Sequence, residues 1–444
     1  MKTRRRPRLK DHRLAMIWAP AVAAAWLTIG SALCAQQAVV APAAAPPVEP
    51  AEPPLLAREF PGFPRDGLPT EKQVKAWRID VSAVRRLGKF DPPELEEKFT
   101  NYYKYKLAEL TWPESMTATN SFGIGLPALR KALKFQDLRE SGTATEKQVH
   151  DRLNQLMLAA TSAFAADPNY HPAARMNCVL LLGALDQQEP DGLGQNNIPL
   201  PAALDKLLAL AGDPKQMDAV RVGAMIGIER HARLAMSPAG RTATVKLLTG
   251  NLNMGTPAGT IVMRHRAVNT LGLMAAKWPE ANRPEVVAVM QLLMNDPEAT
   301  QLARSDAAKS LGMVERTGFA GAPIPQLATS AGLLAAEIAK SAADPNLKFT
   351  DDAGKLQGLT HEFLSIQSGV KGLDGNHGLQ SAATNEQKPF INELAEKVGD
   401  LADLSSNGKL LPSDAESRLQ QKGQDLEQWI KSRNGNGANV AAGN

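Results

Sequence analysis

Two markers recur in register along this chain, and they constrain its fold more than any other feature. Glycines Gly183, Gly227, Gly272 and Gly312 lie 44, 45 and 40 residues apart, inside the segments HPAARMNCVLLLGAL, DAVRVGAMIGIERHA, RHRAVNTLGLMAA and ARSDAAKSLGMVE. Prolines Pro168, Pro214, Pro257, Pro297 and Pro345 keep a similar step of 46, 43, 40 and 48. Four of them follow an aspartate (Asp167, Asp213, Asp296 and Asp344), while Thr256 breaks the pattern. An apolar run precedes each proline, among them LDKLLALAG and VVAVMQLLMN. A period of this length marks a supersecondary unit that cannot bury its apolar face alone and must stack on its neighbours.

The chemistry of each copy predicts a helix pair. Proline lacks an N–H and pushes the preceding residue out of the α region, so it ends an outer helix and opens a turn. The glycine inside the following inner helix costs about 1 kcal/mol against alanine, so a close approach by a neighbouring helix is expected there. Composition agrees with helices rather than a sandwich or barrel: aromatics are only 5% of the 444 residues.

The pattern of Asp213-Pro214, Arg221, Ala224 and Ile226-Gly227, with Leu271-Gly272 and Leu311-Gly312 in two other copies, resembles HEAT-type (armadillo-like) helical repeats. The resemblance covers about half of the chain and implies an all-α fold, an α-solenoid of about four to five helix pairs with helical extensions at both ends. The sequence departs from the family pattern in a longer turn after Asp-Pro, in the insertion DQQEPDGLGQNNIPLP (186–201), and at Thr256. Gly358 stands where a weaker fifth copy would fall. Arg175, Arg221 and Arg266 recur at 46 and 45 residues and are the candidates for contact with an acidic partner. In repeats of this type similar Asp and Arg positions form a ladder between units, and that reading is favoured.

The ends of the chain point to export. Residues 1–13 hold seven basic side chains against one acid, Asp11, and carry +6; the chain's +4 therefore leaves −2 for everything else. An uncharged apolar stretch, 14–33, follows this basic block, the pattern of an export signal. It is also long enough to serve as an uncleaved anchor. The expected organisation is a signal peptide or signal anchor (1–35), an Ala/Pro-rich linker (36–68), a helical N-terminal module (69–144), the repeats (145–358), a helical C-terminal region (359–432) and a disordered tail (433–444).

In the N-terminal module Thr70 is placed to cap a helix with Val74, Trp77, Val81 and Val84 on one face, and a second helix follows Asp91-Pro92-Pro93. Tyr102, Tyr103 and Tyr105 lie among lysines there; an amphipathic face is favoured over base stacking. Ser413-x-x-Glu416 has the form of a capping box. The polar, Gly-rich stretch 371–385 reads as a mobile loop.

No local spacing supports catalysis or metal binding. The seven histidines include no His-x-x-x-His pair, and Gly-x-Ser-x-Gly and phosphate-loop motifs are absent. His231 and His265 are expected at the surface, and Cys178 as a small buried helix residue. No cofactor and no metal are expected. The leading expectation is an extracytoplasmic scaffold, periplasmic or secreted, or tethered by 14–33 where the segment stays uncleaved, that holds a protein or peptide on a concave face without catalysis of its own. The alternative is an exported hydrolase-like enzyme with a site on loops 186–201 and 371–385. Nucleic acid is not an expected partner, and membrane contact would run only through the N-terminal segment.

Overall fold

The computed structural model describes residues 69–112, 115, 126–134, 144–190, 197–250, 257–344, 352–407 and 410–438, all within the unit Leu55–Asn444. The signal or anchor, the linker, Thr256, Pro345 and residues 439–444 lie outside them. The fold is all-α: among the described residues sixteen α-helices and three short 3-10 turns are joined, with one two-stranded hairpin. None of these helices is long and apolar enough to cross a membrane.

The entry module forms where side chains start and stop it. Thr70 accepts a hydrogen bond from the Gln73 amide, and the Gln73 side chain accepts one from Thr70, which closes a capping box ahead of α1 (Glu71–Leu87). Gly88, at φ 68°, ends that helix in the left-handed conformation glycine tolerates best. Its Val81 and Val84 pack on α2 (Glu94–Ala108). In α2 the rings of Phe99, Tyr102 and Tyr103 are buried and touch one another, with centroids 4.7 and 5.2 Å apart, so Tyr102 and Tyr103 are core rather than a stacking platform. A short helix, α3 (Leu126–Ala132), follows.

From there the chain alternates between two rows. One row contains α4 (Ala144–Ala166), α6 (Pro201–Gly212), α8 (Pro238–Thr249), α10 (Pro284–Met294) and α12 (Ile324–Ser341). The other contains α5 (Pro172–Ala184), α7 (Asp218–Leu234), α9 (Pro257–Ala275), α11 (Gln301–Leu311) and α13 (Asp352–Lys371). Each helix of the first row packs on its successor in the second, giving five pairs. Within the second row, α5 packs on α7, α7 on α9, α9 on α11 and α11 on α13. One apolar core runs between the rows, with Leu207, Ile228, Leu271, Met290 and Leu311 all inaccessible. Proline occupies the first turn of six of these ten helices, where its missing N–H costs no helical bond.

The C-terminal region continues the packing. A short helix, α14 (Gly378–Ala382), leads to α15 (Lys388–Ser405) against α13, and α16 (Pro412–Ala438) lies along α12. Here the sequence expectation fails in a detail. Helix α16 begins at Pro412, so Ser413 is already inside it, and Glu416 pairs with Lys355 Nζ at 2.9 Å. The helix also runs through Ala438, well into the stretch expected to be a disordered tail.

Candidate functional site

The Asp-Pro turns share one geometry. The side-chain oxygens of Asp167, Asp213 and Asp296 accept hydrogen bonds from the amides of Asn169, Lys215 and Glu298 at 2.9, 2.9 and 3.0 Å. Each aspartate's carbonyl also accepts from the amide three residues on. In Asp213 the Lys215 amide and the Gln216 side chain hold the carboxyl below its ordinary range. An arginine in the following helix then reaches back ten residues to the end of the preceding helix. Arg175 Nε donates to Ala165 O at 3.1 Å, Arg221 Nε to Ala211 O at 3.2 Å and Arg304 Nε to Met294 O at 3.0 Å. These bonds satisfy carbonyls that a helix C-terminus otherwise leaves open.

This corrects the arginine set read from the sequence. Arg221 is fully buried and Arg175 nearly so, and burial lowers the pKa of both guanidinium groups. Both are out of a partner's reach. Arg266 is not their counterpart: its Nη1 pairs with Glu229 at 3.0 Å. The third member is Arg304, seven residues after Pro297 as Arg175 and Arg221 follow Pro168 and Pro214. The copy led by Thr256 has Arg264 at that place, and it reaches forward to Asp296 at 2.9 Å.

The glycine markers lie where neighbouring helices meet. A Cβ on Gly183 would stand 2.7 Å from the Gly227 Cα, one on Gly272 2.8 Å from Ser310 Oγ, and one on Gly312 2.2 Å from the Ser368 carbonyl oxygen. At α13 a close approach is made by Gly369 against Ala308.

Three polar assemblies are not marked by any local spacing. Insertion 186–201 forms a hairpin of β1 (Asp186–Gln188) and β2 (Ile198–Pro199), with 191–196 outside the described residues. At its base Lys134 Nζ pairs with Asp186 at 2.8 Å and Glu189 at 2.7 Å, all three buried. Arg230 donates to both Asp186 oxygens at 2.6 and 2.8 Å, and Asn154 donates to the Asp186 carbonyl at 2.8 Å. His150 approaches Glu189 at 3.5 Å.

Beside this hairpin a cleft of about 360 Å³ opens between the starts of α6 and α8, lined by Ile198, Leu204, His231, Met236 and Ser237. His231 is buried rather than superficial. Its Nε2 has no hydrogen-bond partner, and burial followed by the charge of Arg230 pushes its pKa down to about 4.

The third assembly joins α9, α11 and α13. His265 Nε2 lies 2.9 Å from the buried Asp306 carboxylate. Glu362 is buried nearby with Oε2 unpartnered, and burial and Asp306 raise its pKa to about 7. Burial lowers the pKa of His361. Among the described residues no three His, Cys, Asp or Glu side chains form a group that could hold a metal ion. Cys178 is buried, which raises its thiol pKa.

Stretch 371–385 is a fixed corner. The Leu373 and Gly378 amides donate to the carbonyls of Gly312 and Val314 at 3.1 and 2.9 Å, Arg316 N donates to Asn376 O, and Glu315 bridges His377. Glycines at φ 82° (Gly372) and 75° (Gly378) allow the chain to turn twice there. The two loops considered for an enzyme site are anchored apart: the hairpin packs on α4 and α7, and the corner on residues 312–319, α12, α13 and α15. No known family model matches the chain, and no curated protein matches it.

Proposed function

We propose that this protein is an exported α-solenoid scaffold that holds a protein or peptide outside the cytoplasm and performs no chemistry of its own. The observation that carries this reading is the thrice-repeated Arg-to-carbonyl bond after an Asp-Pro turn, set in helix pairs that pack one on the next. Stacked units of this kind leave one side of every second-row helix open, which makes an extended binding surface. Export rests on the basic block and the apolar segment of residues 1–33.

In-cell crosslinking of the native envelope, followed by mass spectrometry, tests the reading. One protein enriched over an unrelated exported control, with crosslinks concentrated on α5–α13, is the expected result. Crosslinks no more frequent than those of the control would overturn it. The N-terminal residue of the mature chain and its cell fraction, measured in the same preparation, test export.

A further inference from the structure

The cleft at the starts of α6 and α8 combines apolar walls with one polar group left over. Packing fixes the contact between its two helices. Gly240 of α8 lies so near α6 that a Cβ there would stand 2.9 Å from Leu204 Cδ2, and the Gly240 amide donates to Ser237 Oγ at 3.1 Å. The Thr244 hydroxyl donates to the Met236 sulfur at 3.8 Å, which holds that side chain on the wall. Ile198 and Pro199 of β2 line the side that the hairpin provides. Walls held in place before anything binds lose less free energy to ordering when a ligand arrives.

His231 is the polar group. It lines the cleft from α7, is 1% exposed, and its Nε2 has no hydrogen-bond partner among the described residues. A buried ring nitrogen in that state carries an uncompensated desolvation cost, which a ligand supplying the missing bond removes. Burial and then the charge of Arg230 keep the imidazole neutral, so it offers one donor nitrogen and one acceptor nitrogen. Among the described residues that line the cleft, Asp205 is the one charged side chain, and it repels an anion. Proline at the first position of both α6 and α8 also removes an amide that would attract one. Arg230 in turn opposes positive charge at His231. A hydroxyl suits what remains, because it can donate to Nε2 or accept from it, whichever tautomer the ring adopts. The volume of about 360 Å³ lies near the lower end of the range of about 300–1,000 Å³ typical of small-molecule sites.

We propose that this cleft binds a small, neutral, largely apolar molecule carrying one hydroxyl, with the hydroxyl on His231 Nε2 and the apolar body against Leu204, Met236 and Ile198. This goes beyond the scaffold reading and does not depend on it.

Ligand-observed NMR titration of the purified full chain at neutral pH tests it. The probes are para-ethylphenol, ethylbenzene, para-ethylbenzoate and para-ethylbenzylamine, which share a body and differ in the polar group. Ethylphenol should bind at least about tenfold more tightly than each of the other three. His231→Phe keeps a planar ring and removes both nitrogens, so ethylphenol should weaken about tenfold while ethylbenzene changes less than about twofold. Ala243→Trp, at an exposed position lining the cleft, fills the space from outside the core. It should weaken ethylphenol at least about tenfold with the melting temperature unchanged. Ethylphenol no tighter than any other probe, a preference that survives His231→Phe, binding unchanged by Ala243→Trp, or no saturable binding would each overturn the proposal. So would a tyrosine-bearing peptide that binds more tightly than ethylphenol and loses its affinity in Ala243→Trp, because the cleft would then belong to a side chain of a partner protein.

Discussion

Gly183 and Gly227 face each other across the α5–α7 contact with no room for a methyl group on either: a Cβ built on Gly227 would lie 2.9 Å from the Gly183 Cα and 2.8 Å from Leu207 Cδ1. A helical glycine is otherwise a poor choice, because alanine would stabilise the helix by about 1 kcal/mol. Overpacking typically costs about 1–3 kcal/mol. Gly227→Ala should therefore lower stability by about 1–2 kcal/mol in urea unfolding. Gly375→Ala, with nothing within 4 Å, should change it by less than about 0.5 kcal/mol.

Arg221 is a second internal fastener. Its guanidinium is fully buried and donates to Ala211 O at 3.2 Å. Arg221→Met keeps the side-chain stem and leaves that carbonyl without its donor, a loss of about 1–3 kcal/mol. Thermal melting should show the loss, and an unchanged melting temperature would overturn this fastening role.

Stability against pH should show two opposed contributions. His231 has its pKa lowered to about 4 in the folded chain against 6.5 ordinarily, so the unfolded chain takes up the proton first. That contribution is fully present above pH 6.5 and is lost as pH falls from 6.5 to about 4, a change of about 3 kcal/mol. Glu362 is raised from 4.5 to about 7, so its contribution is full below pH 4.5 and lost as pH rises toward 7, by about the same amount. Between pH 4.5 and 6.5 the two slopes oppose each other. His231→Gln should make the protein grow less stable as pH rises through that window, and Glu362→Gln should make it more stable. Denaturant midpoints at several pH values check both signs.

The buried ions under the hairpin make a fourth prediction. Lys134→Met leaves Asp186 and Glu189 with one cation fewer in a buried setting, which should cost about 3–5 kcal/mol. Adding Glu189→Leu restores the balance and should recover much of the loss, because two charges are then removed together. Urea unfolding of the two variants measures the difference.

The parts of this molecule legible in the sequence are those made by nearby residues. Thr70 with Gln73, the Asp-Pro turns and the glycine at each helix contact are encoded within a few positions. The arginines were legible too, but only in register with the proline: counting seven from Pro168, Pro214, Pro257 and Pro297 gives Arg175, Arg221, Arg264 and Arg304. Aligning on the glycines instead selects Arg266, which serves Glu229. Lys134 and Asp186 are 52 residues apart, and His265 and Asp306 are 41 apart, so no spacing announces them. His231 looked superficial beside charged neighbours, yet its side of α7 faces the starts of α6 and α8. Stretch 371–385 looked mobile from its glycines, but those glycines provide the turns that let its amides reach Gly312 and Val314.

The arginine bond spans ten residues, whereas the contact between Gly183 and Gly227 spans 44. One fastens a helix to its own turn; the other sets that helix against the next link. Because the same turn recurs, excising the stretch from one Asp-Pro to a later one would splice like to like, whereas a cut inside a copy would separate an arginine from its carbonyl.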